Sequence, residues 1–193
     1  MSVVGETPLK VAVLLGSTRE GRVCPSVGGW VAERARERPG LEVSVLDLAE
    51  FDFPGRYPEE ATEAMRAFAR RVAEAEAFVV VSPEYNRSLP ASLKQAIDFA
   101  YDEWRAKPAG LVTYGCGSVG MYVMEHLRVV FTELHMVTMR DGIALDLLGD
   151  GVDGSGRPRG TDAQVRAGEA MLDQLTWWGL ALRAARDRRP YVS

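Results

Sequence analysis

Short apolar runs alternate with helical patterns along this chain, and few folds accept that order. Lys10–Leu15 (KVAVLL) is a compact apolar run closed by Gly16, the pattern of a buried strand. A helix is expected over Ser26–Arg38, ended by Pro39-Gly40. Leu41–Leu48 alternates apolar with polar residues, as a strand with one more exposed face does. Glu59–Glu76 reads as a second helix, with Ala61, Met65, Phe68 and Val72 on one side. Ala77–Ser82 (AFVVVS) is β-branched without alternation, so it belongs at the centre of a sheet, covered on both faces. Pro90–Trp104 predicts a third helix with Pro90 in its first turn. A strand over Ala109–Tyr114, a helix over Val119–Leu134 and a strand over Met136–Leu145, broken near Asp141-Gly142, come next. Gly149–Asp162 holds no core residues and predicts a mobile loop. Thr161 or Asp162 then caps a last helix running to about Arg188.

Five strands interleaved with five helices imply a parallel sheet covered by helices on both faces. The expected architecture is a single α/β domain over residues 1–193, with a tail at 1–8, a loop at 149–160 and a terminal helix at 161–189. Five strands favour the flavodoxin-like three-layer α/β/α order 2-1-3-4-5 over the six-stranded dinucleotide fold. Ligands of such sheets sit beyond the carboxyl ends of the strands, where the order reverses between strands 1 and 3. The loops Gly16–Pro25, Pro83–Leu89 and Tyr114–Ser118 are therefore expected to converge.

Composition narrows the function. A net charge of −4 and a pI near 5.3 argue against a nucleic-acid partner. No apolar run approaches a membrane span, and the start lacks the basic and apolar regions of a signal peptide. Cys24 and Cys116 are too few for a disulfide framework and have no metal-ligand spacing, which fits a reducing cytoplasm. His126 and His135 have no third ligand spaced for a metal, and Asp150 and Asp153 lack the rest of a calcium loop. Trp177 and Trp178 cannot both face one core stripe, so one is expected inside and the other at a loop or a second subunit.

The three loops carry the chemistry. GSTREGR, from Gly16 to Arg22, places two hydroxyls and two guanidinium groups where a strand feeds a helix N-terminus. Helix N-termini bind anions, and arginine forks suit phosphate oxygens, so Ser17, Arg19 and Arg22 read as ligands of a terminal phosphate. Neither GxxxxGK[ST] nor GxGxxG is present here, which leaves a mononucleotide. In the second loop, Pro83 stiffens the chain, Tyr85 offers a ring with a polar tip, and Asn86 offers an amide to a heterocycle edge. The third, TYGCGSVG, lets backbone N–H groups approach a planar ligand. A phosphate cradle beside two backbone-rich edges suits flavin mononucleotide.

Gly16-Ser17-Thr18-Arg19, the block Pro83-Glu84-Tyr85-Asn86 with Pro90, Leu93, Lys94, Ala96, Ile97 and Asp98, and Tyr114-Gly115-Cys116-Gly117 resemble the NADPH-dependent FMN reductase family of quinone, azo-dye and chromate reductases. The likeness spans roughly Lys10 to Leu145. It implies Ser17 and Arg19 on the FMN phosphate and Pro83, Glu84, Tyr85 and Asn86 along the ring and ribityl side, with Tyr114, Gly115 and Gly117 bracketing the ring. Where many members carry Ser and Asn beyond GSxR, this chain has Arg22 and Cys24, which raises Arg22 as a phosphate ligand. The implied activity is hydride transfer from NADPH or NADH through FMN to quinones, azo compounds, chromate or free flavin, in ping-pong order. No side chain is then required as an acid or base. The alternative is a flavodoxin-like electron carrier without its own substrate. The family also implies a homodimer or homotetramer bordering the flavin, for which Tyr101 and Trp104 are the contact candidates.

Overall fold

The computed structural model describes residues 7–147 and 151–192. Its strands are β1 (Leu9–Leu15), β2 (Leu41–Asp47), β3 (Ala77–Pro83), β4 (Pro108–Tyr114), β5 (Val137–Thr138) and β6 (Ile143–Leu145). The helices are α1 (Cys24–Arg36), α2 (Glu63–Glu74), α3 (Ala91–Phe99), α4 (Met121–Glu133) and α5 (Asp162–Arg188). The strands form one parallel sheet in the order β2-β1-β3-β4-β5, and β6 also pairs with β4. The flavodoxin-like order expected from the sequence is the order found.

The fifth strand is split in two. Val137 and Thr138 pair with the start of β4, and Ile143–Leu145 with its end. Arg128 satisfies the carbonyls of the interruption, donating to Met139 O at 2.6 Å and Arg140 O at 2.9 Å. Gln174 of α5 accepts from Asp141 N–H at 3.3 Å and donates back to its carboxylate. The break is thus a built bulge that keeps β4 covered along its length.

Every residue of β3 and β4 is buried, as non-alternating apolar runs require, whereas β2 at the sheet edge is partly exposed. One face of the sheet packs on α2, α3 and α4 through Leu14, Phe78, Val80 and Leu111. The other packs on α1 and α5 through Leu9, Val13, Val79 and Val112. No helix among the described residues is long and apolar enough to cross a membrane.

Several boundaries differ from the sequence reading. Helix α2 starts after Thr62, whose hydroxyl accepts from Met65 N–H at 3.3 Å, so residues 59–62 stay outside it. Helix α3 stops at Phe99, and a separate turn at Asp102–Trp104 drops Trp104 into the core. There Trp104 meets Phe78, Phe68 and Phe131 and donates to Ile97 O at 3.1 Å. It is core, and only Tyr101 of that pair remains exposed.

Helix α5 turns Gly168, Met171, Leu172, Leu175 and Gly179 inward, a stripe that excludes both Trp177 and Trp178. They are 64% and 38% exposed and meet edge to face at 5.0 Å, so neither packs inside. Residues 151–160, part of the stretch expected as a mobile loop, form a small hairpin. Val152 pairs with Pro158, Ser26 donates to Gly156 O at 2.8 Å, and Arg157 pairs with Glu33. Gly149 and Asp150 lie outside the described residues, as does most of the 1–8 tail.

Candidate functional site

The three loops meet at the carboxyl edge of β1, β3 and β4. Gly16 begins the first, its N–H donating to Val81 O at 2.8 Å. A Cβ there would stand 2.7 Å from Leu93 Cδ2 and 3.0 Å from Val81 O, so the close approach of loop, β3 and α3 favours glycine. Ser17 is 1% exposed and its Oγ lies 3.3 Å from the Tyr85 hydroxyl, joining the first loop to the second.

Helix α1 then starts without a side-chain cap. Val23 precedes it, Pro25 occupies the first turn, and no acidic residue stands there. The terminus carries the positive end of the helix dipole, although Pro25 has no N–H and the Ser26 N–H donates to Val23 O at 3.0 Å. Arg19 is exposed on the same loop, and its guanidinium makes no hydrogen bond or ion pair among the described residues. A buried hydroxyl, an unpartnered guanidinium and an uncapped N-terminus are a donor set that fits a terminal phosphate.

Arg22 is placed differently. Its guanidinium grips Asp47 at the end of β2 with both Nη atoms, at 2.6 and 2.8 Å, and donates to Ser17 O at 2.7 Å. The hydrogen bond to Asp47 raises the Arg22 pKa. Burial alone would push the Asp47 carboxyl up, but the Arg22 hydrogen bonds, the Ala49 N–H and the guanidinium charge outweigh it and hold it below its ordinary value.

Pro83 is buried as the last residue of β3, and the second loop continues it. Tyr85 and Ser88 exchange two backbone hydrogen bonds of 2.9 Å around Asn86 and Arg87, whose φ angles are 51° and 65°. This is a tight turn with two left-handed residues, which leaves the Asn86 side chain exposed at the rim. Arg87 lies 4.5 Å over the Tyr122 ring and donates to its hydroxyl at 2.8 Å, while Ser88 Oγ stands 3.0 Å from His126 Nδ1.

Glu84 links the second loop to the third. Its N–H donates to Tyr114 O at 2.8 Å, and its carboxylate accepts from Ser118 Oγ and from the N–H groups of Tyr122 and Val123 at 3.0 and 3.4 Å. Tyr114 turns away from the loops into the face shared with α1 and α5, beside Cys24. Burial is the main reason that both the Tyr114 phenol and the Cys24 thiol are pushed up from their ordinary values. Gly115 donates to Leu145 O at 3.3 Å, and Gly117 stands in open space, with no atom within 4 Å of where a Cβ would be.

All ten sequence-derived residues therefore lie at one edge of the sheet, but they do different things there. Arg19, Asn86 and Gly117 are exposed and without side-chain partners, Ser17 and Tyr85 pair with each other, and Arg22, Glu84 and Tyr114 hold other protein partners. Asp47 and Ser118 were missed by the sequence reading. A carboxylate closing β2 was the available signal for Asp47; nothing comparable marked Ser118. No group of three or more His, Cys, Asp or Glu able to hold a metal occurs among the described residues.

A doubly wound parallel sheet in the order β2-β1-β3-β4-β5, with its loops converging at the switch point, defines a flavodoxin-like protein. Residues 9–147 match the family model of NADPH-dependent FMN reductases, and the chain belongs to that family. An NAD(P)H-dependent FMN reductase of Schizosaccharomyces pombe is 36% identical over 118 residues, covering 55% of this chain and 58% of the relative. The match thus spans less than two thirds of that relative's length. A 2-hydroxy-1,4-benzoquinone reductase of a Burkholderia species is 32% identical over 140 residues, 68% of this chain and 74% of the relative. Among solved structures, a flavoenzyme NAD(P)H:(acceptor) oxidoreductase from Paracoccus denitrificans superposes with a TM-score of 0.71 over 90% of this chain and 98% of its own. At 22% identity that likeness concerns the fold.

Proposed function

We propose that the chain is an FMN-dependent NAD(P)H oxidoreductase that reduces quinones or comparable small acceptors, with azo compounds, chromate and free flavin in the same chemical range. The carrying observation is the unpartnered Arg19 beside buried Ser17 at the uncapped start of α1. These groups would hold the phosphate. Tyr85 and Asn86 would border the ribityl and ring side, and the N–H groups near Gly117 would face the ring edge. Bound FMN would supply the hydride relay between nicotinamide and acceptor.

What the protein contributes is position. The loops build a floor and edges, so nicotinamide and acceptor would use the same opening in turn, a ping-pong order. No side chain at this edge needs to exchange a proton. Backbone donors of the third loop would stabilise negative charge that develops on the ring. We include in this reading a cytoplasmic location and a homodimer or homotetramer bordering the opening. Tyr101, Met121 and Tyr122, about half exposed each, are the aromatic and thioether side chains a second copy would meet.

Purified protein should show a flavin absorbance band, and heat extraction should release FMN. NADPH with menadione, without any other protein, should then be consumed catalytically with parallel-line kinetics. Bound FAD would overturn the phosphate assignment. A flavin-loaded protein that turns over only with a separate reductase would be the electron carrier instead.

A further inference from the structure

We propose that Glu84 is a positioning residue that caps α4 from outside and so fixes the third loop in the form that receives the ligand. Helix α4 follows Gly120 with no side-chain cap and no acidic residue in its first turn. Four N–H groups at such a terminus need acceptors from elsewhere. Glu84 reaches across from the second loop and accepts from Tyr122 and Val123 N–H, with Ser118 Oγ as a third donor. Its own N–H is fixed to Tyr114 O. One residue therefore clamps the third loop at both ends.

The segment between those ends needs clamping. Val119 has a φ of 49° and Gly120 a φ of 86°, two left-handed residues in succession. For a β-branched residue such as Val119 this conformation is costly and persists only when its surroundings over-determine it. The same segment presents the N–H groups of Cys116 and Gly117, neither of which has a protein acceptor among the described residues. A carboxylate at the positive end of α4 holds its charge against the helix dipole, rather than facing an electron-rich ring. Glu84 thus acts on the ligand through loop geometry, not by contact.

The inference rests on the FMN reading, and the test separates the two. Hydrogen exchange of the FMN-free protein and FMN affinity by fluorescence quenching are compared for wild type, Glu84→Ala, Glu84→Gln and Ser118→Ala. In Glu84→Ala, loss of the cap should speed exchange over residues 118–124 and weaken FMN binding, each about tenfold. Glu84→Gln keeps an acceptor oxygen for the α4 N–H groups and should stay within about threefold of wild type. Ser118→Ala removes one donor and should fall between, which also serves if Glu84→Ala does not fold. Unchanged protection in both Glu84→Ala and Ser118→Ala would overturn the proposal. So would a Gln variant that loses FMN as fully as Ala with its loop still protected, because that pattern marks a direct carboxylate contact. Should wild type bind no FMN, the functional reading fails while the exchange comparison still decides the clamp.

Discussion

Replacing Arg22 by alanine should cost stability, and replacing Arg19 should cost cofactor affinity. The Arg22 and Asp47 side chains are 17% and 15% exposed, so the pair is mostly removed from water. Taking one partner from a buried pair costs about 3–5 kcal/mol, chiefly because the remaining charge is stranded. Residual exposure and the Ala49 N–H still on Asp47 reduce this to about 2–4 kcal/mol for Arg22→Ala. Thermal unfolding should shift down by roughly 6–12 °C for a loss of about 3 kcal/mol. The double variant Arg22→Ala/Asp47→Ala should recover part of the loss, since no carboxylate is then left unpaired. Arg19→Ala removes a guanidinium with no protein partner, so its unfolding temperature should stay within about 2 °C of wild type. Its FMN affinity should fall by roughly ten- to a hundredfold, the loss of one charge-assisted hydrogen bond. The Asp47 pKa is lower folded than unfolded, so its contribution is complete above the ordinary carboxylate range. That contribution disappears as pH falls through the depressed folded value. Without Arg22, burial pushes the stranded Asp47 carboxyl up, so the Arg22→Ala deficit should already shrink as pH falls toward the ordinary carboxylate range and shrink further in stronger acid. Unchanged thermal stability in Arg22→Ala, together with an affinity loss equal to that of Arg19→Ala, would refute this division.

Three further outcomes rest on a buried lysine, a strained glycine and an exposed tyrosine. Lys107, 7% exposed, donates to Val72 O and Ala73 O at the end of α2, and burial first, then the nearby Arg186 charge, lowers its pKa from 10.5 to about 8. The unfolded chain binds the extra proton between those values, so wild type should gain up to about 3 kcal/mol relative to Lys107→Met as pH rises through that window, measured by urea unfolding. Gly120→Ala would put a Cβ 2.6 Å from Tyr114 N at a φ of 86°, and should lower stability by about 1–3 kcal/mol while weakening FMN binding through the third loop. Light scattering at micromolar concentration should find at least a dimer, and Tyr101→Glu should reduce oligomer and activity together; a fully active monomer would exclude the shared opening.

The order of the sheet was legible because hydrophobic period and length separate strands from helices, as AFVVVS at the centre and LEVSVLDL at the edge illustrate. The convergence of the three loops followed from that order alone, since they leave the carboxyl ends of β1, β3 and β4, beside the reversal between β1 and β3. Local endings were less legible. Trp104 looked like the end of a helix, but burial of its ring against Phe78 and Phe131 favours a break after Phe99. The hairpin at 151–160 was hidden because glycine dominates its composition, while its anchors Ser26 and Glu33 lie more than a hundred residues away. Sequence also reports the type of a side chain and not its partner. Arg19 and Arg22 are indistinguishable as letters, and the difference between them is Asp47.

Partner occupancy then decides which charged groups a ligand can use. An anion that recruits Arg22 must displace a bidentate carboxylate already seated at 2.6 and 2.8 Å, leaving Asp47 stranded at the site's edge. The exchange replaces one charge-assisted pair by another and adds a desolvated, unpaired carboxylate, so the net gain is small or negative. The same argument applies to Glu84, whose release would strand the first turn of α4. Arg19 and the N–H groups of Cys116 and Gly117 face no such penalty. They give up only water. A site arranged this way would bind through groups left open by the fold, while its paired charges set the loop shapes. Substitutions should accordingly separate into those that change affinity at constant stability and those that change both.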